Sequence, residues 1–175
     1  MIFGRDILFD RKIISNRIAN IAYRIDKDFN GGDLIVVCVL KGSFLFTSDL
    51  IRSISKEECI IDFVKVSSYG SGTESSGEIK LTKDIEVDIK DKNVLVVDDI
   101  LDTGLSLFYL TNLLIVKNPK VLKTCVLLDK PSRRKYDIKA DYVGFEIEDK
   151  FVVGYGLDYN EKYRELPDIY VVKEP

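Results

Sequence analysis

Runs of apolar residues alternate along this chain with segments of helical spacing. Buried-strand patterns occur at 34–40, 60–66, 94–97, 121–128 and 142–145, and helical patterns at 10–29, 44–54 and 105–116. Strands that alternate with helices are typical of parallel sheets covered on both faces. The pattern predicts an α/β fold with a mainly parallel, twisted sheet flanked by helices. Sites in such sheets lie beyond the carboxyl ends of the strands.

One strand end carries candidate chemistry. The apolar run 94–97 leads into Asp98 and Asp99, and a turn with Thr103, Gly104 and Ser106 then opens an apolar helix. Free N–H groups at a helix start, two hydroxyls and the close approach that glycine permits form an anion cradle. The two carboxylates can hold ribose hydroxyls or a Mg²⁺ ion. An Asp-Asp pair by itself is as often only solvated, but the whole arrangement predicts a site for a phosphorylated sugar.

Lys41 and Gly42 follow the first buried strand and precede another apolar helix. An ordinary turn explains this dipeptide when it is considered alone. A lysine beside helix-opening N–H groups also suits a pyrophosphate, because backbone donors and the helix dipole attract anions there.

Asp102 lies on the turn itself, three residues beyond Asp99. It can cap the helix, a common role for aspartate, or face a base placed beside the sugar. The chain contains no histidine. Proton transfer must therefore use a carboxylate, a lysine, a tyrosine or water.

Two later segments have unusual composition. Pro131 disfavours helical geometry at Lys130, which leaves that amine able to face a ligand. A solvated basic loop is the alternative, and the better one for Arg133.

Residues 151–164 begin with Phe151 and two valines, which alone indicate a core strand. Their two glycines, their tyrosines and Asp158 also suit a slot for a flat base.

Length, charge and cysteines narrow the class of protein. A chain of 175 residues fits one domain. Its net charge of −3 disfavours a protein that mainly neutralises nucleic-acid phosphates. Its three cysteines lie in apolar runs without paired spacing, so we expect free thiols and a cytoplasmic location. The longest apolar run, 34–40, is too short to span a membrane.

The segment from Val94 to Ser106 resembles the ribose-phosphate signature of the type I phosphoribosyltransferases, which bind 5-phosphoribosyl-1-pyrophosphate (PRPP). From about residue 35 to about residue 171 the chain looks like the hypoxanthine-guanine branch of that family. The resemblance implies transfer of phosphoribose to N9 of hypoxanthine or guanine with Mg²⁺ as cofactor. Xanthine as a main substrate, and a regulator of the same fold that binds nucleic acid, are the alternatives.

Residue roles follow from the same resemblance. The phosphoribose would be bound by Asp98, Asp99, Asp102, Thr103, Gly104, Leu105 and Ser106. The pyrophosphate would be bound by Lys41, Gly42 and Arg164, and the purine by Lys130, Phe151, Val152 and Asp158, with Arg134 in support. Mg²⁺ would be held by Asp98, Asp99 and Asp158. Ser68 and Tyr69 would belong to a closing lid in the glycine-rich segment 67–78.

Asp102 would be the general base at purine N7, and the peptide bond between Leu40 and Lys41 would be cis. Lys130 can only donate hydrogen bonds, so it would favour 6-oxopurines over adenine, which presents an amino group at that place. Leu105 departs from relatives that often carry a polar or basic residue there, which predicts weaker binding of the phosphorylated sugar.

The resemblance also bears on organisation. It implies a single domain over 1–175, with a core at about 30–145 and a small hood from about 1–10 and 146–175. It further implies a homodimer or homotetramer that acts on small molecules. The short apolar runs predict no membrane partner, and the net charge disfavours a nucleic-acid partner.

Overall fold

The computed structural model describes residues 5–29, 33–55, 58–68 and 79–172. Within these ranges lie three α-helices: α1 (Arg11–Asp28), α2 (Phe44–Ser53) and α3 (Leu105–Ile115). Nine strands accompany them: β1 (Arg5–Phe9), β2 (Leu34–Leu40), β3 (Cys59–Ser68), β4 (Ile79–Lys83), β5 (Asn93–Leu101), β6 (Val121–Asp129), β7 (Tyr142–Glu146), β8 (Val152–Val153) and β9 (Ile169–Val172).

Six strands form the central sheet in the order β4-β3-β2-β5-β6-β7. Every pairing is parallel except that of β4 with β3 at one edge. The prediction of a mainly parallel sheet is confirmed. In this arrangement the carboxyl ends of β2, β5 and β6 meet at one end of the sheet.

Side chains alternate between two apolar layers along the central strands. On one face Val36 and Leu95 pack with the buried residues of α1 and α2. On the other face Val37 and Val96 pack with Leu110 and its neighbours from α3. Since successive residues of a strand point to opposite faces, strands that are covered on both sides must be apolar throughout. This is why β2 is an unbroken apolar run.

A second sheet joins the two ends of the chain. Its three strands lie in the order β1-β9-β8, and both pairings are antiparallel. Ile169 is fully buried and belongs to the layer that also contains α1 and α2. The small sheet is thus anchored to the body of the protein, as the expected fold with a hood requires.

The predicted strands and helices of the central sheet agree with the observed ones, except at the end of β5. The apolar pattern placed the end of β5 before the paired carboxylates, whereas the strand continues to Leu101. The ladder with β6 explains the extension, because Asp98 pairs with Val126 and Leu101 with Asp129. Asp98 and Asp99 therefore belong to the strand and share its rigidity.

Two expectations from composition can also be compared with the fold. Cys38, Cys59 and Cys125 are all free thiols, the first and last of them buried. None of the helices in the described part of the chain has the length and apolar character that a bilayer crossing requires.

Candidate active site

A cavity of about 310 Å³ lies at the carboxyl ends of β2 and β5. Three segments that are distant in sequence form its wall: the turn at Lys41 and Gly42, residues 98–107, and Asp158 with Arg164. Every residue that we expected to bind phosphoribose or pyrophosphate therefore lines one space. The turn after β2, the end of β5 and the loop after β8 thus meet around one cavity.

The turn between β5 and α3 has the shape of an anion cradle. Gly104 adopts φ +90°, a left-handed conformation that favours glycine, and stands at the N-cap of α3. A Cβ at this position would lie 2.8 Å from Cγ2 of Ile138. The hydroxyl of Thr103 accepts a long hydrogen bond from Leu105 N–H at 3.4 Å. Leu105 and Ser106, the first residues of α3, line the cavity. A helix start at this place suits anion binding.

The loop after β6 fixes this turn from behind. The N–H groups of Lys135 and Tyr136 donate to the carbonyl of Thr103 at 2.9 and 3.2 Å. Nη1 of Arg134 donates to the carbonyls of Leu101, at 3.0 Å, and Asp102, while Nη2 pairs with the Asp129 carboxylate. Arg134 therefore supports the turn through its backbone and does not itself line the cavity.

Asp98 and Asp99 are constrained by the backbone as well as by burial. Oδ1 of Asp98 accepts from Asp99 N–H at 3.0 Å, and Oδ1 of Asp99 accepts from Ile100 N–H at 2.8 Å. Burial raises the pKa of both carboxyl groups, and the neighbouring charge of Asp99 raises that of Asp98 further. Two adjacent carboxylates, with Asp98 buried and Asp99 half-buried, favour a cation beside them.

The turn at Lys41 and Gly42 comes very close to this pair. The peptide bond between Leu40 and Lys41 is cis, as the family resemblance implied. A Cβ at Gly42 would lie 1.5 Å from Oδ2 of Asp99, so glycine is needed for this approach. The hydroxyl of Ser43 donates to the carbonyl of Val39 at 2.6 Å and holds the turn against the end of β2.

The loop after β8 closes the cavity from the opposite side. Gly156 adopts φ +99°, and a Cβ there would lie 2.1 Å from the carbonyl oxygen of Gly42. Arg164 donates to the carbonyl of Gly156 at 2.8 Å and pairs with Asp158 at 2.8 Å. Two glycines thus let the backbones of both turns touch, which brings Arg164 and Lys41 to one cavity.

Of the residues that we expected to bind the purine, Asp158 lines the cavity, whereas Lys130, Phe151 and Val152 do not. Lys130 is only 6% exposed, and its N–H donates to the carbonyl of the wall residue Leu101 at 2.9 Å. Phe151 is 51% exposed, and its ring meets that of Tyr159 edge to face at 5.6 Å. Val152 is buried in β8 and pairs with Val171 of β9.

Only one of the two residues that we expected in a lid belongs to the described part of the chain. Ser68 is described only as the last residue of β3, and Tyr69 lies outside the described residues. Their lid role therefore stays a prediction.

Sequence reasoning missed an ion-pair network beside Asp102. Nε of Arg133 donates to Oδ1 of Asp102 at 2.6 Å, and Nη1 donates to Oδ2 of Asp149 at 3.2 Å. Nζ of Lys130 lies 3.8 Å from the same Asp149 carboxylate. The Asp102 side chain contacts an arginine, and Gly104 occupies the N-cap of α3 without a side-chain cap. This geometry argues against the capping role that was the alternative for Asp102.

A second missed residue is Glu161. Its carboxylate pairs with Nζ of Lys41 at 2.8 Å and with Nη2 of Arg164 at 3.4 Å. The hydrogen bond from Lys41 is the main cause that lowers the pKa of Glu161. The main contacts of Glu161 and Arg133 have no local signature, because Lys41 and Glu161 are 120 positions apart and Asp102 and Arg133 are 31 positions apart. In the sequence, Glu161 and Arg133 stood out only as charged residues in segments that we expected to bind ligands.

Comparison with known proteins agrees with this site. The family model for the phosphoribosyl transferase domain matches residues 4–160. The chain belongs to the phosphoribosyl transferase family.

Individual relatives cover nearly the whole chain. A hypoxanthine-guanine phosphoribosyltransferase from Aquifex aeolicus is 48% identical over 96% of this chain and 94% of its own length. A solved hypoxanthine-guanine phosphoribosyltransferase from Bacillus anthracis is 50% identical, covers 96% of this chain and 98% of its own, and superimposes with a TM-score of 0.91. A Trypanosoma cruzi hypoxanthine phosphoribosyl transferase, studied for the role of its C-terminal region in oligomeric state and activity, is 42% identical with a TM-score of 0.91, covering 98% and 92%.

Proposed function

We propose that this protein is a purine salvage enzyme that transfers phosphoribose from PRPP to N9 of hypoxanthine or guanine. The products are IMP or GMP and pyrophosphate. The observation that carries this proposal is the single cavity in which the phosphate turn, the carboxylate pair and the Lys41 turn meet. Relatives with this activity match the chain over nearly its full length.

The phosphorylated sugar takes the deepest part of the cavity. Its 5′-phosphate is bound by the N–H groups that open α3 and by the hydroxyls of Thr103 and Ser106. Leu105 contributes only its backbone. The ribose hydroxyls hydrogen-bond to Asp98 and Asp99, whose place on a paired strand favours a fixed orientation.

The donor set also fits Mg²⁺. Within the described ranges no three acidic or cysteine side chains come together as a metal cage. Mg²⁺ commonly uses one or two carboxylates together with waters and substrate phosphates, which suits Asp98 and Asp99 at one place and Asp158 at another. When bound, the ion neutralises charge on the pyrophosphate leaving group.

Lys41, the backbone of Gly42 and Arg164 bind the pyrophosphate. Both cations line the cavity, and Arg164 is fixed by the Gly156 carbonyl and by Asp158. Charge-assisted hydrogen bonds from such a preorganised arginine stabilise an anionic leaving group.

The purine lies between the sugar and the small sheet at the chain ends. Phe151 stacks on the ring, the Val152 backbone meets its edge, and Lys130 donates to the 6-oxo group. The half-exposed ring of Phe151 and the buried amine of Lys130 support these roles. We assign the three-stranded sheet to the hood over the base, and Ser68 and Tyr69 to a lid that excludes water during transfer.

Asp102 handles the proton. Purine N9 forms a bond to C1′ of the sugar, the bond from C1′ to the pyrophosphate oxygen breaks, and the proton on N7 moves to the Asp102 carboxylate. Arg133 occupies Oδ1 of Asp102, so Oδ2 is left for the base.

The test is a reaction with defined components. Purified protein, PRPP, hypoxanthine and Mg²⁺ should yield IMP and pyrophosphate in equal amounts, and EDTA should abolish both. Formation of ribose phosphate without IMP would instead indicate a hydrolase and contradict the proposal.

We further propose a homodimer or homotetramer in the cytoplasm. Ile61 and Phe63 are 40% exposed on one face of β3, next to an apolar helix layer, and could be covered by a second copy. The free thiols suit a reducing compartment. Sedimentation equilibrium of the purified chain tests the association.

A further inference from the structure

Glu161 occupies the two cations that the proposed function assigns to pyrophosphate. One of its carboxylate oxygens, Oε2, lies 2.8 Å from Nζ of Lys41 and 3.4 Å from Nη2 of Arg164. Lys41 and Arg164 line the cavity, and Glu161 reaches them from its rim. A single negative group thus satisfies both positive groups.

The loop holds Glu161 in this position through its backbone. Glu161 has φ +63°, and its N–H donates to Oδ2 of Asp158 at 2.8 Å. Tyr159 and Lys162 exchange two backbone hydrogen bonds of 3.1 Å across the turn. The side chain is 65% exposed. It makes ionic contacts from a rigid turn without being part of the packed core, so it can leave without disturbing the fold.

The two cations differ in how they depend on Glu161. Arg164 keeps its bonds to Asp158 and to the carbonyl of Gly156 when Glu161 moves away. The ion pair that the structure shows for Lys41 is the one with Glu161. Departure of Glu161 therefore frees Lys41 fully while Arg164 stays oriented toward the ligand.

We propose that Glu161 is a built-in competitor of the diphosphate: its carboxylate neutralises Lys41 and Arg164 in the ligand-free site and is displaced when a diphosphate binds. This inference rests on the proposed function. Ion pairs between exposed groups are weak, so a multiply charged diphosphate can replace the carboxylate. The same carboxylate competes again after transfer and promotes release of pyrophosphate.

The test is calorimetric titration of the full chain with magnesium pyrophosphate at low ionic strength. Glu161→Gln keeps the shape of the side chain and removes its charge, so it should tighten the Kd by about two- to tenfold. Glu165→Gln makes the same change of charge on an exposed residue of the same loop and should shift the Kd by less than about twofold. The gain from Glu161→Gln should shrink in a protein that already carries Lys41→Met.

The outcomes separate this inference from the proposed function. An unchanged or weaker Kd for Glu161→Gln, in a protein whose wild type binds magnesium pyrophosphate, would overturn the competitor role and indicate that Glu161 orients Lys41 for binding. An equal gain in Glu165→Gln would reduce the effect to general charge and also overturn it. Absence of binding by the wild type would refute the proposed function itself.

Discussion

The Arg133 guanidinium donates to Oδ1 of Asp102 at 2.6 Å, and the same side chain reaches Asp149, which lies 3.8 Å from the Lys130 amine. One arginine therefore connects the residue that we assign to proton transfer with the residue that we assign to the 6-oxo group. Asp149 and then Asp102 raise the pKa of Arg133, which stays positively charged. The contact between Arg133 and Asp102 is solvent-exposed, so water competes with it.

Exposure to solvent limits the free energy that the ion pair of Arg133 and Asp102 contributes. The side chains of Arg133 and Asp102 are 41% and 37% exposed, and such ion pairs contribute about 0–1 kcal/mol. We predict that Arg133→Met changes kcat by less than about fivefold and the free energy of unfolding by less than about 1 kcal/mol. Steady-state kinetics and urea unfolding measure the two effects. A hundredfold loss of kcat would place Arg133 in the chemical step.

Replacement of Asp102 itself should behave differently. An amide cannot take up the N7 proton at neutral pH, so Asp102→Asn should lower kcat by about 10²–10⁴. Calorimetric affinity for PRPP should persist, because the phosphate turn is held by Arg134 and the loop after β6. Near-normal turnover in this variant would remove Asp102 from proton transfer.

Asp62 gives a prediction about stability. Its buried carboxylate accepts from the N–H groups of Phe63, Glu86 and Val87 at 2.6, 2.6 and 3.0 Å, and so ties β3 to the segment after β4. Asp62→Ala leaves these donors without their acceptor and should lower the free energy of unfolding by about 2–4 kcal/mol. Urea unfolding at neutral pH provides the measurement.

The same residue predicts a pH dependence. Burial alone would raise the pKa of Asp62, but the hydrogen bonds from Val87, Phe63 and Glu86 outweigh it, and the pKa lies below its ordinary value of 3.8. Stability from a lowered carboxyl pKa is fully present above the unfolded value and is lost as the pH falls toward the folded value. The difference between wild type and Asp62→Ala should therefore narrow below about pH 4. A constant difference down to pH 2 would contradict this reasoning.

The fold was largely predictable because its central strands are buried on both faces. The run from Leu34 to Leu40 had to be apolar throughout, which gave its bounds directly. The isoleucines at 14, 18, 21 and 25 of α1 are buried as helical spacing predicts. Ile13 is 46% exposed, because it lies on the face of α1 that also carries the exposed Arg17 and Asn20.

The short strands were harder to predict. β1, β4 and β9 have five, five and four residues, and each lies at the edge of a sheet or pairs across the chain ends. Their pairing depends on partners far away in sequence, such as Arg5 with Val172. A local pattern has no information about such contacts.

The candidate site, like the fold, was predictable from the sequence only in part. Asp98, Asp99 and the turn after them were visible because strand, turn and helix are contiguous there. The pairing of Glu161 with Lys41 was not visible, since it depends on the approach of Gly156 to Gly42 across the cavity. The sequence predicted candidate ligand-binding residues, and the structure adds the charged side chains that surround them.

The most direct test is an initial-rate comparison of hypoxanthine, guanine, xanthine and adenine with PRPP and Mg²⁺. The buried Lys130 amine can only donate hydrogen bonds, and the adenine amino group would place a second donor against it where a 6-oxopurine supplies an acceptor. We predict rates with hypoxanthine and guanine that exceed the adenine rate by at least about 100-fold. Comparable rates with adenine would contradict the role of Lys130, and no transfer to any of the four bases would contradict the proposed activity.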